Sequence, residues 1–332
     1  MVRSLLLALL VLTGQAISTD ARALQLKIAT VAPEGQYLKE MRTAGDAIKT
    51  QTASRVEFKF FPGGVMGTDA ATVLRKIKLG QLQGGAFSAA ELSSVSNDGS
   101  LYGMPFLFAS KEEFNYVLGK TLPLVQASYA KGGMVVPGFC SGGYAYLLST
   151  KPLTSIEDLR ATKVWAPAGD PVAEVGFRYT GASVVKLAIA DVYPSLQTGL
   201  IETVGGPLPL IIGFQWHTKL KYMADVPLAM TTGSLAFDKR AFDKIAPADQ
   251  AIVNTEVAKA FARYNVINFE DGAARAALLK QGIVAAKPSP EQLKAWEDIG
   301  VKSLAEMTAK KAFSAEILAA VLAARAEFRA KR

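Results

Sequence analysis

The sequence has 332 residues, half of them hydrophobic and a fifth charged, with a formal net charge of +8. That length suits two domains, and the composition excludes a disordered chain. The basic residues are scattered, apart from short pairs such as Lys310-Lys311 and Lys331-Arg332. No basic block carries interleaved aromatics, which argues against nucleic acid as a partner.

Arg3 precedes a short apolar run, Leu5 to Leu12, extended weakly through Ile17, and Ala21-Arg22-Ala23 fits the small-x-small rule for signal peptidase. Residues 1–23 read as a cleavable secretory signal. The run falls short of the ~20 apolar residues a spanning helix needs. A second apolar stretch, Leu208 to Phe214, is too short and holds Pro209. The mature chain is expected to be soluble and exported to the periplasm. Cys140 is the only cysteine, so no internal disulfide is available.

Leu24 to Val31 predicts a strand. Gln36 to Thr52 carries Tyr37, Leu38, Met41, Ala44 and Ile48 at helical spacing. Val56, Phe58 and Phe60 alternate with charged residues as in a half-buried strand, ended by Pro62-Gly63-Gly64. Asp69 to Lys78 is helical and Leu82 to Phe87 a short strand. The resulting β-α-β-α-β order predicts a mostly parallel sheet. Ser110 with Glu113 predicts a capping box, and Met134–Phe139 and Tyr144–Ser149 two strands flanking Gly142-Gly143. A second sheet layer is expected from about residue 143. Lys163 to Ala166 is a short strand. Asp170-Pro171 caps a helix running to Tyr179 and closed by Gly181. A long helical pattern covers Asp249 to Leu279, Ser289-Pro290 with Gln292 opens another helix, and the C-terminus is helical.

These elements predict two α/β halves with no linker between them. The first is expected to comprise 24–142 plus 232–272, the second 143–231 plus 273–332. The cleft between such halves is the default ligand site.

One enzymatic reading is open. Gly138-Phe139-Cys140-Ser141-Gly142 fits a G-x-C-x-G nucleophile elbow after an apolar strand, with His217 as the sole histidine to act as base and Asp170 or Asp191 to orient it. This would make the protein an exported Cys-dependent hydrolase; otherwise the stretch is a strand end with glycines. One His and one Cys cannot build a zinc site, and neither a P-loop nor a dinucleotide fingerprint is present.

Four segments carry a resemblance that spans nearly the whole mature chain. Phe61-Pro62-Gly63-Gly64-Val65-Met66-Gly67-Thr68-Asp69, Leu101 to Phe108, Ser149 to Leu159, and Asp191 to Glu202 resemble, in the right order, the signatures of the substrate-binding subunits of TRAP transporters, the DctP family. The resemblance implies an α/β, two-domain periplasmic binding protein fold with a hinge, crossing strands and a long scaffold helix. It implies a protein without catalysis or cofactor that closes over a small organic solute, a carboxylate or a partly apolar molecule. The closed form would dock onto a membrane permease driven by an ion gradient.

The same resemblance exposes departures. Members clamp a ligand carboxylate with an Arg on a "K-x-R-x-P" strand; this sequence reads Lys163-Val164-Trp165-Ala166-Pro167, with Trp165 in the Arg position. A second Arg used by some members falls near Ala145, between Tyr144 and Tyr146. The family's Asn or Gln becomes Gly205-Gly206-Pro207. Losing the guanidinium fork removes the strongest carboxylate contact. An indole offers a flat face and one N–H, which favours a ligand with an apolar, aromatic or cationic part. An anionic group would fall to the backbone N–H groups at the Asp170-Pro171 helix start, although Asp170 opposes it. Val31, Asp69 and Ser88 from the first half, and Ile189 and Gly206 from the second, match positions that touch ligand in relatives. Tyr144, Tyr146, Trp216 and Gln36 complete the expected contacts, with plain packing the alternative for Tyr144, Tyr146 and Trp216. For Asp69 the alternative is a helix cap, for Val31 a strand core, for Gly206 a turn, and for Trp165 a structural cleft wall.

Overall fold

The computed structural model describes residues 23–267 and 271–331; the export signal read in 1–23 lies outside them except for Ala23. The first half opens as β1 (Leu24–Ala29), α1 (Gln36–Gln51), β2 (Val56–Phe61), α2 (Ala70–Lys78) and β3 (Gly84–Phe87). β1 pairs parallel with both β2 and β3, as the β-α-β-α-β pattern predicts. The chain continues through α3 (Lys111–Lys131), β4 (Met134–Val135) and β5 (Phe139–Ser149) into the second half. There it forms α4 (Ile156–Arg160), β6 (Lys163–Pro167), α5 (Pro171–Thr180), β7 (Ser183–Leu187), α6 (Val192–Thr198), β8 (Thr203–Pro207) and α7 (Leu208–Gly213). β9 (Tyr222–Asp238) returns to the first half, and α8 (Lys239–Phe242), α9 (Pro247–Ile267), α10 (Asp271–Lys280), β10 (Val284–Ala286), α11 (Pro290–Ala309) and α12 (Ala315–Ala330) follow.

The described strands form one hydrogen-bonded sheet of order β2-β1-β3-β9-β5-β8-β6-β7, with β4 and β10 also on β9. β5 and β9 are long enough to serve both halves and pair antiparallel throughout. Gly142-Gly143 does not separate two strands, as expected from sequence. β5 runs through both glycines, and the ladder shifts register between Ser141 and Gly143. A Cβ on Gly142 would lie 2.4 Å from the Thr231 hydroxyl, so the close approach of β9 requires glycine there. A second shift, where Ala145 faces Ala229 and Leu147 faces Ala224, throws Asp225–Leu228 out of the ladder.

Each half buries apolar side chains on both sides of the sheet. In the first, Leu26 and Ile28 pack with Met41, Ile48, Val257 and Phe261 of α1 and α9. Its other side joins α2, α3 and α12 through Val73, Phe114, Val117, Ile317 and Val321, and α12 lies along α3. In the second, Trp165, Leu196, Ile211, Trp216 and Leu278 form one core, and Leu159, Val164, Trp296 and Ile299 the other. Helix starts follow their caps. Ser155 and Ser289 make complete capping boxes. Ser110 accepts the Glu113 N–H, but the Glu113 carboxylate turns to the Ala109 N–H and to Arg329, so that box is half made.

Candidate functional site

The parallel strands of each half end at the cleft, where open α/β sheets present loops to ligands. From the first half come the turn after β3 and its Ser88–Glu91 loop. From the second come the loop after β6, the N-terminus of α5 and the turns after β7 and β8. The lobes touch across this edge: the Ser93 hydroxyl donates to the Gly169 carbonyl at 3.2 Å. β9 fixes the first-half loop, since Thr232 Oγ1 accepts the Ala89 N–H (3.1 Å) and the Ser234 hydroxyl donates to the Phe87 carbonyl (2.9 Å).

Two carboxylates dominate this edge. Glu91 Oε2 accepts from the Ser88 N–H (2.7 Å) and hydroxyl (2.9 Å). Asp170 Oδ1 accepts from the N–H groups of Val172 and Ala173, both at 3.0 Å. Burial raises the pKa of each above the usual carboxylate range, against the pull of those hydrogen bonds, and Glu91 also feels the negative charge of Asp170 from the opposite lobe. Each acid has one oxygen engaged by its own turn; Glu91 Oε1 and Asp170 Oδ2 make no hydrogen bond among the described residues. Sequence reading named Ser88 but missed Glu91, although Ser88-x-x-Glu91 repeats the spacing used to find helix starts.

The other predicted residues divide sharply. Trp165 is 4% exposed, its Nε1–H donates to the Leu187 carbonyl at 3.1 Å, and its ring meets Trp216 edge-on at 5.1 Å. Trp216 is wholly buried and stacks on Phe214 at 5.4 Å. Ile189 is half-buried against the same core. Asp69 caps α2, with Oδ1 on the Thr72 N–H and Oδ2 on the Thr72 hydroxyl. Gln36 donates to Glu40 at 2.9 Å from the first turn of α1, and Val31 is half-buried just past β1. Tyr146 is buried in the second-half core and Tyr144 packs at the junction of two cores. Gly206 pairs with Tyr146 in the β5–β8 ladder; a Cβ there would meet Leu210 at an ordinary 3.7 Å, so packing does not demand glycine. The backbone N–H groups expected to greet an anion at the start of α5 are occupied by Asp170 itself. That corrects the expectation, because an N-cap carboxylate fills the donors it would otherwise leave for a ligand.

The hydrolase reading fails on geometry. Cys140 is fully buried in the α1–α9 core, and burial pushes its thiol up to about 12. Its Sγ lies 3.3 Å from the Gly233 carbonyl, which accepts its proton. His217 belongs to the turn at Trp216–Lys219, beside Ile211 in the other half. Among the described residues no group of three His, Cys, Asp or Glu side chains gathers to hold a metal.

Two lobes that share crossing strands and meet at parallel strand ends give the architecture of a solute-binding protein. The model of the bacterial extracellular solute-binding protein family 7, DctP, matches residues 28–311, and the chain belongs to that family. It is a TRAP-type solute receptor, not an enzyme. The chain is similar to the 2,3-diketo-L-gulonate-binding periplasmic protein YiaO of Escherichia coli K12, at 24% identity over 76% of this chain and 78% of that one. It is also similar to the C4-dicarboxylate-binding periplasmic protein DctP of Rhodobacter capsulatus, at 24% identity over 90% and 89%. Solved structures share the fold. A TRAP periplasmic solute-binding protein from Desulfovibrio salexigens with bound orotic acid superposes with a TM-score of 0.83 at 18% identity, covering 91% of this chain and 99% of that one. One from Haemophilus influenzae with bound L-gulonate gives 0.84 at 15% identity, covering 90% and 99%.

Proposed function

We propose that this protein, exported by residues 1–23 to the periplasm, captures a small hydroxylated or amino-bearing organic acid between its lobes and hands it to the membrane permease of a TRAP transporter. Family membership and a relative named for a sugar-acid ligand support the solute class. The observation that carries the reading is the pair Glu91 and Asp170, one from each lobe, each with an oxygen that meets no donor among the described residues. A solute with hydroxyl or ammonium donors on both sides satisfies the two acids at once and holds the lobes together. A bare dicarboxylate has no donors for them, and Trp165 stands where the usual clamp would take its charge.

The test is a thermal-shift screen of sugar acids, amino acids and simple dicarboxylates against the mature chain. A solute at 100 times its Kd stabilises the folded protein by ~2.7 kcal/mol. The expected hits carry hydroxyl or ammonium groups, and Glu91→Gln weakens the best of them at least tenfold. Succinate as the tightest ligand, with Glu91→Gln unchanged, would refute the assignment of the two acids.

A further inference from the structure

A cavity of 610 Å³ lies on the hinge side of the molecule, beside α11 and α12. That volume suits a small organic ligand. Its walls come from the Met104–Ala109 loop, the Asp225–Pro227 excursion of β9, Tyr144 of β5, and the two C-terminal helices. None of the cleft residues Ser88, Glu91, Trp165, Asp170 and Ile189 reaches it. The lining is largely apolar, with Phe106, Phe108, Val226 and Leu304 prominent. Phe106 holds a left-handed φ of 56°, uncommon for so bulky a residue, and its N–H is anchored to the Leu228 carbonyl at 2.7 Å. That anchor ties the loop to the β9 excursion and keeps the ring at the cavity wall.

The charges around this cavity do not balance. Arg325 and Arg329, one turn apart on α12, share a single buried acid, Glu113. Glu113 is already filled: it accepts Arg329 Nε and Nη2 and the Ala109 N–H. Arg325 Nε stands 3.9 Å from Glu113 Oε1, outside hydrogen-bond range; that nitrogen is buried and has no hydrogen-bond partner among the described residues, while the side chain as a whole stays 24% exposed. The remaining wall charges are answered elsewhere. Both oxygens of Asp225 accept from Arg275, at 3.2 and 2.6 Å, while Lys287 and Glu297 are exposed and opposite in sign. Burial, and then the charge of Arg329, lower the proton affinity of Arg325 against the opposing pull of Glu113. A guanidinium remains charged under these conditions, so two cations that share one acid at the wall of an apolar pocket leave room for a further anion.

We propose that this hinge-side cavity is a second ligand site, separate from the cleft, for a small organic monoanion with a flat or branched apolar body. Its carboxylate pairs with Arg325, and its apolar part lies against Phe106, Phe108 and Leu304. Such an occupant touches both strands that join the lobes, Tyr144 on β5 and Val226 on β9. Any preference it has for one hinge angle therefore changes the affinity of the cleft for its solute by the same factor, and conversely.

The test uses benzoate as probe and benzyl alcohol as its uncharged match, by calorimetry on the mature chain. The expected result is saturable benzoate binding, at least tenfold weaker binding of benzyl alcohol, and at least tenfold loss in both Arg325→Gln and Leu304→Trp. Circular dichroism checks that each variant folds; Leu304→Trp fills the pocket and decides the matter if Arg325→Gln does not fold. A crystal soaked with 4-bromobenzoate should place the bromine anomalous peak among Phe106, Phe108 and Leu304. Absence of benzoate binding, equal binding of the alcohol, indifference to both substitutions, or a bromine peak in the cleft would each overturn the proposal while leaving the reading of the cleft intact.

Discussion

Trp165→Ala separates a packing role from a recognition role for this residue. The side chain is 4% exposed, edge-on to Trp216, and its N–H holds the Leu187 carbonyl at the end of β7. Truncating a buried aromatic of this size costs about 3–5 kcal/mol in lost burial and residual cavity. Trp165→Phe keeps most of the ring and removes the donor, so it should cost about 1 kcal/mol for the hydrogen bond, plus the smaller volume lost. The assay is urea unfolding followed by far-ultraviolet circular dichroism, because removing a tryptophan alters the fluorescence signal itself. The expected order is wild type, then Trp165→Phe, then Trp165→Ala, with the last gap the widest. A loss below about 1 kcal/mol for Trp165→Ala would show that the indole contributes little to the second-half core and would refute this reasoning.

Other expectations follow from buried groups. Cys140 should resist alkylation by iodoacetamide at pH 8 in the native state and react only on unfolding, because burial holds its thiol near 12; intact mass before and after denaturant reads this directly. Burial alone would raise the pKa of Glu113, but the Arg329 hydrogen bond and the Ala109 N–H bring it below the usual carboxylate range. Its contribution is therefore present above the unfolded pKa of about 4 and lost as pH falls through the folded value. Glu113→Ala should cost about 3 kcal/mol at pH 7 by stranding the arginines, and that cost should shrink in acid unfolding curves. The raised pKa values of Glu91 and Asp170 act with the opposite sign. The folded state binds more protons between the unfolded and folded values, so the ligand-free protein loses stability as pH rises through that window. Glu91→Gln should raise the unliganded melting temperature at pH 7.5 and leave it unchanged at pH 3. Gly300→Ala should destabilise by about 1–3 kcal/mol, since its Cβ would lie 2.5 Å from the Pro105 carbonyl; a thermal melt checks it.

Local signals made much of the fold legible. The alternation in Val56–Phe61, the spacing in α1, and the caps at Asp69, Asp170 and Ser289 correspond to observed elements. Gly142-Gly143 misled because a glycine pair reads as a break, whereas here the pair admits Thr231 of a neighbouring strand, a contact that sequence spacing does not encode. The helical pattern from Asp249 to Leu279 ran together two helices, α9 and α10, that pack on different halves. At the site, the four resembling segments located the strand ends but not the partners that the side chains take. Asp69 is engaged by Thr72 and Trp165 by Leu187, contacts set by local geometry. Nothing in the residues flanking Glu91 announces that the charge of Asp170, from the other lobe, acts on it.

Small-angle scattering with and without a solute that calorimetry shows to bind tests most directly whether the lobes grip a guest. A fall in radius of gyration on saturation, abolished in the Glu91→Gln, Asp170→Asn double variant, is the predicted result. An unchanged radius with the cleft demonstrably filled would contradict the account.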